Sequence, residues 1–396
     1  MDHIWPARPG VRSPAMNSTL RVEAVSDRRA MRRFLSAARG IQGQDPNWVE
    51  PLRMERRHQW SARHPFFEHA EAQAFLALRG DDAVGTISAQ IDRLAPSVDG
   101  RRLGWFGQLE GIDDGEVFAG LLRAASDWLS ERGCGWLRGP FDLGINQGCG
   151  LLVEGRETPP MLMMNHAPAY YAERLEACGL VKAMDLLAYL LPPDFEPPAA
   201  MQRLTRRLDG RLRLRPLDFS RYDEELELLR DIFNDAWSDN WGFVPLTGAE
   251  FRAMGKDLRQ IIRPAYTCVA EVDGEAAGFI VALPNINELI ADLNGRLLPF
   301  GWARLLWRLK RRLATTARVP LMGVRKAHQR GPMGAAVSFS MIEQVRQALE
   351  ADGVGQVELS WILESNRGMN SMIEAMGGDL YKRYRLYECE LPVAVR

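Results

Sequence analysis

The chain repeats itself. Residues 75–89, FLALRGDDAVGTISA, have a counterpart in residues 268–282, CVAEVDGEAAGFIVA, with Gly85 and Gly278 at an offset of 193. Both stretches read as strand, tight turn at Gly and Asp, strand, which is the pattern of a β-hairpin. Farther on the offset becomes 220. Val117, Leu121, Ala125, Trp128 and Leu129 match Val337, Met341, Val345, Ala348 and Leu349, each set an apolar stripe at helical spacing. Gly133 and Gly353 then stop the two helices. A strand follows in each half, and both lead to an asparagine, Asn146 and Asn366. Residues 182–191 and 382–391 close the halves as strands at an offset of 200. Two copies of one α/β domain are predicted, each a mixed, mostly antiparallel sheet flanked by helices.

The boundary is marked by residues 191–199, LPPDFEPPA, where prolines this dense suit a stiff linker. The expected organisation is a flexible start at 1–19, a first domain at 20–191, a linker at 192–200 and a second domain at 201–396. The changing offset also locates two insertions. The second half carries about 27 extra residues between its hairpin and its helix, and the first carries about 20 after Asn146. Specialised work is expected there, because the shared framework supplies only scaffold.

Composition narrows the class. Apolar residues are 46% and charged residues 26%, enough for a sizeable core, and 50 basic against 51 acidic residues exclude a protein that coats nucleic acid. No apolar run is long enough to span a bilayer, and the opening residues lack the apolar core of a signal peptide. Five scattered cysteines favour reduced thiols and a cytoplasmic setting. No histidine spacing makes a metal site, so none is expected.

Hairpin, strand, turn, helix, strand, helix, strand is the order of the GCN5-related N-acyltransferase (GNAT) fold, and both halves resemble it. Residues 64–77 (HPFFEHAEAQAFLA), 139–140 (GP), 150–155 (GLLVEG), 159–171 (PPMLMMNHAPAYY), 240–245 (NWGFVP) and 360–366 (SWILESN), together with Asn146, carry a more specific resemblance. Over residues 50–390 the chain is similar to the tandem acyltransferases of the bacterial ceramide synthase family. That resemblance implies an enzyme moving a long acyl group from a fatty acyl-CoA onto a lipid-like amine of the sphingoid kind. The fold also serves aminoacyl-tRNA-dependent transferases of the peptidoglycan type, and a non-catalytic acyl-CoA binder is a third possibility.

In the GNAT family a Q/R-x-x-G-x-G/A turn holds the pyrophosphate of the acyl-CoA. The matching residues are Arg325, Gln329, Arg330, Gly331, Met333, Gly334 and Ala335, with Met333 in place of a glycine; Asn366 is placed with them. At the 220 offset this turn faces Glu110 and its acidic neighbours Asp113 and Asp114, which would repel a pyrophosphate. Residues 293–342 hold no Asp or Glu but ten Lys and Arg. The cofactor is therefore expected in the second half, with the first half shaping the acceptor site.

Amide formation needs a base, an oxyanion stabiliser and a leaving thiolate. The candidate catalytic residues are Glu364, Glu110, His166 and Tyr171, and the candidate substrate contacts are Asn146, Asn165, Tyr170, Trp241 and Trp361. For each the alternative is structural: a helix cap for Asn366, a satisfied core for the aromatics. Within residues 297–318, Leu298, Trp302, Leu305, Leu306, Leu309 and Leu313 share one sector of a helix and Arg304, Arg308 and Arg311 another. Such a helix either lies on an anionic membrane surface or packs on its own domain with its arginines in water.

Overall fold

The computed structural model describes residues 18–206, 208 and 210–392. The expected flexible start falls outside these residues except for its last two. The first half runs β1 (Leu20–Ala24), α1 (Arg28–Gln42), α2 (Arg53–Gln59), β2 (Ala70–Arg79), β3 (Asp82–Asp92), β4 (Arg102–Gly111), α3 (Gly115–Ser130), β5 (Cys134–Gly139), β6 (Leu151–Glu154), α4 (Tyr170–Ala177) and β7 (Val181–Leu191). A short helix, α5 (Ala199–Arg206), leads into the second half. This runs β8 (Leu212–Arg215), α6 (Tyr222–Trp237), α7 (Gly248–Leu258), β9 (Thr267–Val272), β10 (Glu275–Pro284), α8 (Asn287–Ile290), α9 (Gly301–Lys310), β11 (Thr316–Val324), α10 (Lys326–Gln329), α11 (Gly331–Ala351), β12 (Gln356–Leu363), α12 (Arg367–Ala375) and β13 (Asp379–Glu390).

The repeat is visible element by element and begins earlier than the sequence match does. A strand and two helices (β1, α1, α2 and β8, α6, α7) precede each hairpin. The helical stripes are core: Val117, Leu121, Ala125 and Leu129 are fully buried, as are Val337 and Met341, with Val345 and Leu349 almost so. The two insertions are β6 with the segment that follows it, and α8 with α9.

The sequence did not announce how the halves join. All thirteen strands of the described residues form one sheet, ordered β1-β2-β3-β4-β5-β13-β7-β12-β11-β10-β9-β8, with β6 against β13. Each closing strand has crossed to the other half: β13 pairs with β5, at Tyr387 opposite Gly139, and β7 pairs with β12, at Tyr189 opposite Leu359. Both faces of the second half are buried. Along β10, Phe279, Val281 and Leu283 join the core under α6 and α7, while Ile280 and Ala282 join the core under α11.

In each half the central parallel pair parts midway. The last aligned residues are Trp105 with Arg138 in β4 and β5, and Val319 with Leu359 in β11 and β12. In the first half the chain leaving β5 crosses β4 at Gly107. A Cβ there would stand 1.4 Å from the Phe141 carbonyl oxygen, so only glycine permits the crossing. Beyond it the strands diverge and leave a wedge. In the second half the first half's insertion is threaded across the corresponding opening. The buried Arg318 donates to the Leu162 carbonyl at 3.0 Å and to Ser360 Oγ at 2.8 Å, and pairs with the buried Glu358 at 3.3 Å. Asn287 Nδ2 donates to the Pro160 and Met161 carbonyls. Arg318 and Asn287 thus find carbonyl partners across the duplication, which helps fix how the halves sit.

Candidate active site between the two halves

The wedge between β4 and β5 opens into a cavity of about 710 Å³, within the range of sites for small molecules. Its polar end is formed by Gln108 and Glu110 of β4 and by Asp142 just after β5. Phe34 of α1, Met54 of α2, Met163 and Met164 of the first insertion, and Leu258 and Ile290 from the second half also line it, interspersed with charged groups such as Arg39, Glu50, Arg56, Glu250 and Asp257. A carboxyl group beside apolar side chains suits an amphiphilic amine.

Glu110 faces into this cavity near the end of its strand. Its Oε2 accepts hydrogen bonds from Gln42 Nε2 at 2.7 Å and from the Tyr171 hydroxyl at 2.8 Å. Enclosure in the protein pushes its pKa up to about 7, against the pull of these two donors, because little water reaches the charged form. Burial raises the Tyr171 hydroxyl well above its usual value, and the neighbouring Glu110 adds to the effect. Tyr171 therefore keeps its proton and serves as a donor. Desolvation also raises Asp142 and Glu55. Arg56, 3.7 Å from Asp142, opposes this in part.

Of the other candidates, His166, Asn146 and Asn165 line the same cavity. His166 Nε2 stands 2.8 Å from Asp45 Oδ2, and its Nδ1 is buried with no hydrogen-bond partner among the described residues. Asn146 donates to the Val244 carbonyl at 3.0 Å and so ties the halves together. Asn165 donates to the Gly150 carbonyl. Tyr170 is half-buried beside the cavity, its hydroxyl donating to the Gly111 carbonyl. The structure does not bring the rest here. Glu364 lies on the far side of β7, paired with Lys182 at 2.7 Å and accepting from the Asp185 N–H. Trp241 stacks under the Arg138 guanidinium, and Trp361 under that of Arg318. Asn366 caps α12, accepting from the Met369 N–H.

The phosphate turn lies elsewhere, at the start of α11. The sequence offset set Arg330 opposite Glu110, but α11 is one turn longer at its N-terminus than α3, so Arg330 matches Asp114 as the residue before the helix. Those two positions differ in kind. The Asp114 side chain accepts from the Glu116 N–H and pairs with Arg79 at 2.7 Å, so the start of α3 already holds an anion. Arg330 makes no side-chain cap, leaving the first N–H groups of α11 unsatisfied by the helix. Gly331 beside it, at φ +69°, faces open space. Gly334 does not: a Cβ there would meet the Gln329 carbonyl oxygen at 2.0 Å, so its role is local packing. Gln329 braces the turn by donating to the Ala236 and Val324 carbonyls, and Arg325 pairs with Asp231 and donates to the Ala276 carbonyl. Met333 packs on the core below, and Ala335 continues the helix.

Sequence reasoning missed Gln42, Asp45, Asp142 and Glu55. The partners of the first two, Glu110 and His166, lie 68 and 121 positions away, and none of the four stands in a local motif that distinguishes it from a surface polar residue. Among the described residues no group of three His, Cys, Asp or Glu is placed to hold a metal ion.

No protein-family model matches the chain. It is 48% identical over 375 residues to "Bacterial ceramide synthase" of Caulobacter vibrioides, covering 94% of this chain and 98% of that one. It is 43% identical over 371 residues to "Protein YghO" of Escherichia coli, covering 93% and 95%. Among solved structures it is similar to a tandem GNAT protein from the clavulanic acid biosynthesis pathway, with TM-score 0.53, 14% identity and coverage of 94% and 99%. A GCN5-related N-acetyltransferase from Sphaerobacter thermophilus gives TM-score 0.50, 14% identity and coverage of 94% and 96%. Those two likenesses speak to the fold, and the sequence identities to descent. The chain belongs to the bacterial ceramide synthase family of tandem GNAT-fold N-acyltransferases.

Proposed function

We propose that the protein transfers a long fatty acyl group from acyl-CoA to the nitrogen of a lipid-like amine of the sphingoid-base kind, working peripherally at a membrane. The observation that carries this reading is the cavity, in which the enclosed Glu110 carboxyl, its pKa raised to about 7, stands beside apolar side chains from both halves. Glu110, with a pKa of about 7, is partly ionised at neutral pH and takes a proton from the bound ammonium. The freed amine attacks the thioester carbonyl; a C–N bond forms, the C–S bond breaks, and the departing thiolate takes up one of the two protons left on the nitrogen, the other staying as the amide N–H. Tyr171 and Gln42 act as positioning residues that hold Glu110.

The acyl-CoA is assigned to the second half, because the start of α11 is uncapped and carries no acid in its first turn while that of α3 is filled by Asp114. The cavity and the start of α11 then have to communicate. Between them stands the methionine-rich part of the first insertion. Leu162 and Met163 line the cavity and also pack on the cluster that holds Trp237, Phe243 and Leu321. Met163 is a flexible partition through which an acyl group would pass.

Incubation with palmitoyl-CoA and sphinganine, followed by mass spectrometry, tests the reading. The expected result is the amide together with free CoA. No amide from any long-chain amine, with acylation of a small polar amine instead, would overturn it.

A further inference from the structure

Six of the ten large apolar side chains that the described residues expose lie between Leu298 and Leu313. Leu298 and Phe300 are each 79% exposed, Trp302 50% and Trp307 55%. Helix α9 buries none of its own residues. Single exposed apolar residues are ordinary, but a run of this size is a contact surface awaiting its partner.

The side of α9 that meets its domain is mixed. Leu305, Arg308 and Leu309 are half-buried; Arg308 donates to the Leu289 carbonyl and pairs with Asp292 at 2.6 Å, and the more exposed Arg304 pairs with Asp292 at 3.0 Å. Trp302, Leu306 and Trp307 are left facing outward. Lys310, Arg311 and Arg296 remain exposed around the apolar side chains, and no acidic residue lies between positions 293 and 342.

This surface adjoins the cavity. Ile286, Asn287 and Ile290, on the element that α9 rests against, line it. The turn before α9 docks on the first half, where the Arg53 N–H donates to the Gly295 carbonyl at 3.0 Å and a Cβ on Gly295 would meet the Pro51 carbonyl oxygen at 2.8 Å. The next residue, Met54, is 68% exposed and lines the cavity too.

We propose that α9 and the turn before it dock on an anionic bilayer and that the cavity opens toward that bilayer beside Met54, so that the amine substrate passes from lipid to Glu110 without crossing water. The partner is a membrane by its chemistry. Tryptophans and a phenylalanine ringed by cations that make no ion pair among the described residues match the interface of an anionic leaflet, and no helix of the described residues is long and apolar enough to cross it. The portal rests on the acceptor assignment above; the docking does not.

The test compares the full-length protein with a Phe300→Ser, Trp302→Ser, Trp307→Ser variant. Sedimentation with phosphatidylglycerol–phosphatidylcholine vesicles should fall at least tenfold in the variant, and wild-type binding should weaken on vesicles of phosphatidylcholine alone and in high salt. Turnover of sphinganine carried in the vesicles should fall with binding, while turnover of sphinganine in detergent micelles and the melting temperature stay at wild-type values. Wild type that ignores the vesicles, or a variant that still binds them, overturns the docking. A variant that loses binding yet acylates vesicle-borne amine at the wild-type rate overturns the portal. Sedimentation equilibrium showing a wild-type dimer and a variant monomer without vesicles would give this surface to a second copy instead. Lack of turnover in micelles as well, with vesicle binding intact, would count against the function proposed above and leave the docking standing.

Discussion

The Tyr171 hydroxyl stands 2.8 Å from Glu110 Oε2, and the Gly111 N–H donates to that same hydroxyl at 2.9 Å. One backbone donor and one carboxylate acceptor thus fix the phenol, and burial keeps its proton in place. Glu110 is left as the group that titrates near neutrality.

Glu110→Gln should lower kcat by roughly two to four orders of magnitude, the range for loss of a positioned base. In the wild type, kcat/KM should rise with pH through an inflection at about 7. Amide formation measured by mass spectrometry between pH 5 and 9 checks both, and a flat profile would remove Glu110 from the chemistry.

The same carboxyl bears on stability. Its pKa is raised from 4.5 to about 7, so the folded state holds a proton that the unfolded chain gives up between those values. The cost is absent below about pH 4.5, grows as pH rises, and levels off above about 7 at roughly 3 kcal/mol. Glu110→Gln keeps the two donors satisfied and removes the charge. It should match wild type in urea unfolding at pH 4 and exceed it at pH 8.

Tyr171→Phe deletes a hydrogen bond that holds the Glu110 pKa down. The inflection in kcat/KM should move to higher pH, with kcat reduced about tenfold. A loss of rate without a shifted profile would make the tyrosine mere packing.

Arg330→Glu puts a carboxylate at the uncapped start of α11. The KM for palmitoyl-CoA should rise about tenfold or more while kcat and the melting temperature hold. Gly334 is unsuitable for this purpose, since its Cβ would strike the Gln329 carbonyl and disturb the turn whatever its charge.

Residues 20–191 produced alone should fail to fold. Its closing strand β7 has its partners, β12 and β13, in the other half. Circular dichroism of the separate halves and of the co-expressed pair checks this; order should return only with both.

Much of the architecture was legible in the chain. The apolar stripes of α3 and α11 and the hairpins follow from spacings of two and of three to four residues, which depend on neighbours a few positions away, and the changing offset between the copies located both insertions. The site was legible in part. Glu110, Tyr171, His166, Asn146 and Asn165 came from reading a repeat together with its insertion, and they do converge. Glu364 and Asn366 came from the same reading and lie apart from the cavity, at a strand's end and a helix's start.

What the sequence determined, then, is the module: two amphipathic patterns laid down twice, with Glu110, Asp113 and Asp114 in one copy set against the acid-free turn at Arg330 in the other. What only the tertiary structure decided is the exchange of β7 and β13, the cavity that pairs Gln42 with Glu110, and the outward turn of Trp302 and Trp307. Periodicity specifies which face of an element is apolar and says nothing of which distant element will cover it. That choice rests on pairings across scores to hundreds of residues, such as Gln42 with Glu110 and Arg318 with the Leu162 carbonyl, whose free energies exist only once the chain has closed.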